Sequence, residues 1–139
     1  MTNTQSLFPC LPVPEELRTD VAAELFGVHF PMKLEPFIYF MADTMCEDYQ
    51  GGYWEFYSLI NGGFYMAPKS DTPYRVSCEN GFEGNLSADA FGIVCCLYAY
   101  SHLSFDDGEF TATCTEQYHL LREYMYEHPE VGSILRAID

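Results

Sequence analysis

Apolar positions recur along the chain first at helical spacing, then in alternation, then at helical spacing again. Across residues 14–27, PEELRTDVAAELFG, Leu17, Val21 and Leu25 lie four apart. Pro14 suits a first helical turn, Glu15 and Glu16 complement the positive end of the helix dipole, and Gly27 can stop the helix. A second helix is predicted from Pro36, with Phe37, Phe40, Met41, Thr44 and Met45 as its stripe and Gly51 and Gly52 as its stop. At residue 53 the period shortens to two. In YWEFYSLI, Trp54, Phe56, Ser58 and Ile60 alternate with Tyr53, Glu55, Tyr57 and Leu59. NGG is a hairpin turn signal, because Asn and Gly tolerate positive φ, and FYMAP is the return strand. KSDTP, YRVSCE, an Asn80–Gly81 turn and FEGNL add a third strand and a short fourth.

Helical spacing returns at Ser87, a capping residue with Asp89 in the first turn behind it. Phe91, Val94, Cys95, Tyr98 and His102 form the stripe, widened by Ile93 and Leu97. An acidic loop, FDDGEF, follows. Thr113 and Glu116 read as a capping box opening a helix with Cys114, Tyr118, Leu121 and Met125 on one face. Pro129 breaks it, and residues 130–139 form a last short helix carrying Val131, Ile134, Leu135 and Ile138. Helices, strands and helices segregated in this way predict an α+β fold: a small antiparallel β-meander of three to four strands packed with about four to five helices, in a single domain. Residues 1–14, with three prolines, predict an extended arm that Leu11 and Val13 pin to a domain spanning residues 15–139.

Composition narrows the function. The chain has 139 residues, 48% of them hydrophobic and 17% aromatic, which suits one core and excludes intrinsic disorder. Twenty-one Asp and Glu against six Lys and Arg give a formal charge of −15. Nucleic-acid binding relies on cations that displace counterions from phosphates, so direct DNA or RNA binding is not expected, nor is an anionic membrane surface. A basic protein partner, or solubility alone, remains. The N-terminus has no basic segment leading into an apolar run, no stretch reaches membrane-spanning length, and the six cysteines include no CxxC pair. These features predict a cytoplasmic protein with reduced thiols.

Candidate chemistry is sparse. His29, His102, His119 and His128 show no HExxH spacing, so no metal is expected. The paired glycines form no GxGxxG or Walker loop and are read as turn devices; no cofactor is expected. A Cys–His nucleophilic pair could assemble in space, which keeps a small hydrolase as an alternative. The acids are scattered: Glu15, Glu16, Asp20 and Glu24 on the first helix, Glu47 and Asp48 at the end of the second, Asp106, Asp107 and Glu109 in one loop, then Glu116, Glu123, Glu127 and Glu130. No long acidic ladder imitates a DNA backbone, although a direct DNA mimic stays as a second alternative. In the aromatic stretch, Trp54 and Phe56 are assigned to the core. Tyr53, Glu55 and Tyr57 face outward unless covered, and exposed tyrosines beside a carboxylate suit a protein interface.

Three segments carry a family resemblance: DYQGGYWEFYSLINGGFYMAP, NGFEGNLSADAFGIVCCLYAYSHL and YHLLREYMYEHPEVGSILRAID. In that order and combination they resemble the ArdB/KlcA antirestriction family of plasmid- and island-borne bacterial proteins. The resemblance runs from about residue 31 to the C-terminus. It implies a protein that protects incoming DNA from type I restriction endonucleases without acting as a catalyst. The partner it implies is the type I restriction-modification apparatus or an accessory host protein. It carries over no catalytic residue. The matching positions, residues 51–56, 61–68, 83–90 and 118–139, are structural or partner-contact candidates. Together with the outward strand face and the acidic loop, they make the contact candidates Tyr53, Glu55, Tyr57, Tyr65, Asp106, Asp107, Glu109 and Asp139.

Overall fold

The computed structural model describes residues 10–105 and 108–139. In chain order the elements are β1 (Cys10–Pro12), α1 (Arg18–Phe26), α2 (Glu35–Met45), β2 (Trp54–Leu59), β3 (Phe64–Pro68), β4 (Tyr74–Ser77), β5 (Glu83–Leu86), α3 (Ala88–Leu103), α4 (Glu109–Met125) and α5 (Val131–Ile138). A 3-10 turn (Glu15–Leu17) leads into α1, and one wide π-helical turn (Phe30–Leu34) leads into α2. The α+β class, the single core and the antiparallel strands agree with the sequence reading. The strands, however, divide between two sheets, β1-β2-β3 and β4-β5.

The hairpin β2–β3 forms where alternation and NGG place it. Gly62 adopts φ 94°, Gly62 N–H bonds to Leu59 C=O, and Asn61 Oδ1 accepts the Gly63 N–H. The register pairs Trp54 with Pro68, Phe56 with Met66 and Tyr57 with Tyr65. Trp54 and Phe56 are buried as expected, but Leu59 is buried and Ile60 exposed, the reverse of the predicted alternation. The strand ends at Leu59, so Ile60 belongs to the turn and leaves the pleat.

The reason the four strands do not form one meander is α3. Bare N–H and C=O groups on a sheet edge must be paired or covered, and α3 runs along the free edge of β3. Cys96 Sγ lies 3.5 Å from both Met66 N and Met66 O, and Tyr100 donates to Phe64 C=O at 2.7 Å. Gly92, one turn earlier, lets the two backbones meet: a Cβ there would sit 2.3 Å from Ala67 Cβ. With that edge taken, β4 pairs only with β5, in a two-stranded ribbon against the start of α3, where Tyr74 stacks on Phe91 at 4.8 Å. The opposite edge of the sheet is closed by β1, whose Cys10 pairs with Leu59 and Pro12 with Tyr57.

Because α3 is surrounded, residues from Ala88 to Tyr100 are buried almost all round it rather than along a stripe. Its neighbours then bury different faces from those the spacing suggests. On α1 the buried residues are Ala22 and Phe26, while Leu17 is exposed and Val21 and Leu25 are half-buried. On α2 they are Ile38, Met41, Ala42 and Met45, with Phe40 in solvent. That helix ends at Met45, because Cys46 turns to an extended conformation, well before the two glycines. The Thr113–Glu116 pair does not open a helix: α4 starts at Glu109, and the Thr113 hydroxyl donates to the Glu109 carbonyl within its first turns. Asn80, in the β4–β5 turn, donates to the carbonyls of Arg136 and Ala137 and so caps the end of α5.

Five of the six cysteines are buried and Cys10 is half-buried. Burial pushes the Cys96 thiol up to about 12 and Cys114 up to about 11, and it also raises Cys10. Only the thiolate reacts. Alkylation of the folded chain, read by mass spectrometry, is therefore expected at Cys10 alone. Its rate should climb as pH passes the ordinary thiol range, and all six should label after denaturation. Early labelling at Cys96 would contradict the edge-covering role of its sulfur.

Candidate functional site

Tyr57 and Tyr65 face each other across β2 and β3 because their register makes them directly opposed. Their rings stack at 4.8 Å, and Tyr65 stacks in turn on Tyr124 of α4 at 5.8 Å. Behind this column lies a chain of polar contacts drawn from four elements. Tyr65 Oη donates to Asp89 Oδ1 at 2.6 Å, and Cys10 Sγ lies 3.6 Å from the same hydroxyl. Asp89 Oδ2 is 2.8 Å from His128 Nε2, while His128 Nδ1 accepts the Glu130 N–H at 3.0 Å. The acceptor role of Nδ1 places the ring proton on Nε2, so a neutral His128 donates to Asp89. Glu130 closes the chain by accepting both the N–H and the hydroxyl of Ser87, and Ser87 Oγ caps α3 by accepting the Ala90 N–H.

In front of the column is a shallow cleft of about 260 Å³ lined by Glu55, Tyr57, Lys69, Ser70, Asp71 and Asp89. Burial, then the charges of Glu55 and Asp89, push the Tyr57 hydroxyl up to about 12. The Tyr65 and Tyr124 hydroxyls are raised as well, chiefly by burial. All three phenols therefore stay protonated at neutral pH, and Tyr65 uses its proton to donate to Asp89. The arrangement can present an aromatic face and carboxylates to a partner.

The sequence candidates fall in several places. Glu55 and Tyr57 line this cleft. Tyr65 is 1% exposed and stands behind Tyr57 as its support, out of reach of a partner. Tyr53, 48% exposed, precedes β2 and lies beside Arg18 instead. Glu109 is exposed at the start of α4. Asp139 is exposed at the C-terminus, 3.7 Å from Arg122 Nη1. Asp106 and Asp107 lie outside the described residues. Sequence reasoning assigned Ser87 and Asp89 only to a helix cap and missed His128 and Glu130. No local motif links Asp89 to His128, because they come together only when α3 and the α4–α5 turn pack.

A Cys–His pair finds no support among the described residues. Thiol hydrogen bonds run to Tyr65, Met45 and Met66, and the histidines contact Asp89 or aromatic rings. No group of His, Cys, Asp and Glu among those residues could hold a metal ion.

The profile of a family described as "Antirestriction protein" matches residues 47–139, from the end of α2 through the cleft and the polar chain to the C-terminus. The chain belongs to the antirestriction family. Its relatives span nearly all of it. The Escherichia coli K12 protein YafX is 45% identical over 133 residues, covering 92% of this chain and 86% of YafX. An Escherichia coli antirestriction protein KlcA is 41% identical over 132 residues, covering 91% and 92%. A solved structure superposes with a TM-score of 0.89 at 37% identity, covering 100% of both chains. It comes from work on KlcA and ArdB that describes a novel fold and antirestriction activity against type I DNA restriction systems in vivo but not in vitro. In this antirestriction protein the family match agrees with the resemblance carried by the three sequence segments.

Proposed function

We propose that this protein counteracts type I restriction in the cell through protein contact rather than catalysis, acting in the cytoplasm on the restriction apparatus or on an accessory host protein. The functional unit is the domain of residues 15–139, preceded by an arm whose described part, residues 10–14, docks through β1. The observation that carries this reading is the near-complete likeness to the KlcA and ArdB structure. The activity described there, present in vivo but not in vitro, fits a route that needs a further cellular component. The tyrosine-backed cleft supplies a contact surface of the right composition, since aromatic residues are enriched at interfaces. The acids are dispersed over the elements, which weighs against imitation of a DNA duplex. No described helix is long and apolar enough to cross a membrane.

Phage plating on a host carrying a type I system tests the proposal. Expression of the full chain should raise plating, and Tyr57→Ala with Glu55→Lys should lower protection by roughly tenfold or more while the protein stays folded by circular dichroism. Unchanged restriction at confirmed expression would sink it. Adding the pure protein to pure endonuclease and DNA should leave cleavage unaffected. Stoichiometric competition with DNA that weakens as salt rises would instead favour a DNA mimic.

A further inference from the structure

A second cleft lies on the Phe56 side of β2, whereas Tyr57 points the other way, to the tyrosine column. About 570 Å³ in volume, it is walled by Arg18, Ala22 and Ala23 of α1, by the turn at residues 27–31, and by Phe56. Its size and apolar lining are those of a binding site rather than a packing defect. Arg18 is its one cation. The guanidinium lies 3.9 Å above the Phe56 ring and 4.9 Å from the Tyr53 ring, and Nη2 donates to the Trp54 carbonyl. Its Nε–H is buried without any partner. Among the described residues no carboxylate lies within ion-pair distance of Arg18, in a chain with 21 acids. That N–H has no exposed surface, so it is closed to anything in the cleft, and the guanidinium serves as a wall stacked on Phe56.

The rim specifies the rest. Glu15 and Glu35 also line the cleft, and Glu35 is held by the Tyr39 hydroxyl at 3.2 Å. Two carboxylates against one cation disfavour an anionic ligand and favour a cationic one. Exposed Glu16 and Asp20 extend the same sign along the helix. Val28, 67% exposed, forms an apolar lip. Apolar walls and flanking acids together describe a site for a basic peptide.

We infer that this cleft docks an extended basic segment of a partner protein. An apolar side chain sits between α1 and Phe56, and flanking Lys or Arg side chains meet Glu15 and Glu35. The inference deepens the contact reading above, but its test makes no use of restriction. The full chain, isotope-labelled for amide NMR, is titrated with two short acetylated and amidated peptides, one with a leucine flanked by lysines and one with it flanked by glutamates. The lysine peptide should give saturable shifts in α1, residues 27–31 and β2 that weaken with salt, and the glutamate peptide should give none. Glu15→Gln with Glu35→Gln should weaken binding by roughly three- to tenfold. Ala23→Trp fills the cleft from an exposed position and keeps every charge, so it should abolish the shifts with the fold intact. No saturable shift at millimolar peptide, equal shifts from both peptides, or binding retained in Ala23→Trp overturns the inference. Protection in the plating assay would stand regardless of that result, and a failed plating assay would leave the peptide result in place.

Discussion

Replacing Gly92 by alanine is expected to destabilise the protein by about 3 kcal/mol, a fall of roughly 10 °C in Tm. Helix propensity alone predicts the opposite sign, since alanine is favoured over glycine in a helix interior by about 1 kcal/mol. The clash decides. A Cβ on Gly92 would lie 2.3 Å from Ala67 Cβ and 2.5 Å from both Ala67 Cα and Met66 O. These are backbone atoms or groups fixed to the backbone, so no side chain can swing away. The helix must lift off β3 instead, which also stretches the Cys96 and Tyr100 bonds to that strand. Urea and thermal unfolding of the variant measure the effect. An unchanged or raised midpoint would show that α3 does not rest on β3 through this residue.

Asp89→Ala should cost about as much, roughly 3 kcal/mol, by a different route. The carboxylate accepts from the fully buried Tyr65 hydroxyl and from the His128 imidazole, which is 8% exposed. Removing it strands two donors, each worth about 1–3 kcal/mol when left buried and unpaired. The Asp89 side chain is itself 38% exposed, so water entering its place holds the loss near the lower half of that sum. The pairing has a signature that simple loss of packing lacks. Adding Tyr65→Phe to Asp89→Ala removes one stranded donor, so the double variant should be no less stable than Asp89→Ala alone. Strictly additive losses in urea unfolding would reject the coupling. Asp89→Asn should fall between, because the amide can accept from Tyr65 or from His128 but presents an N–H to the other. His128 cannot switch tautomer to help while its Nδ1 holds the Glu130 N–H.

The hairpin was legible in the sequence because two independent signals coincide there, period-two alternation and an Asn-Gly-Gly turn. The α+β order was legible for the same reason at coarser scale. The arrangement around α3 was not. A helix apolar on every side has no stripe to read, so nothing local says that it will sit in the centre or that Gly92, Cys96 and Tyr100 will line up on a strand. Exposed apolar residues such as Leu17 and Phe40 moved the predicted faces of α1 and α2, because spacing cannot tell which of two overlapping stripes a neighbour will cover. β1 is three residues long with a proline at its end, below any threshold for recognition. Of the candidate site, Glu55 and Tyr57 followed from alternation. Asp89, His128 and Arg18 did not, since their roles depend on partners 24 to 39 residues away in sequence.

The closure of both sheet edges also orders events during synthesis. Cys10 leaves the ribosome before its strand partner, which ends at Leu59, so β1 waits for the third strand or helix after it. The other edge of the hairpin stays uncovered until Tyr100 has emerged. A nascent chain stopped between those points carries a bare, aromatic hairpin, the kind of surface that chaperones bind and that aggregates when crowded. A stall that leaves residue 68 outside the ribosome and residue 100 still inside should therefore reduce soluble yield more than one made after residue 103 has emerged.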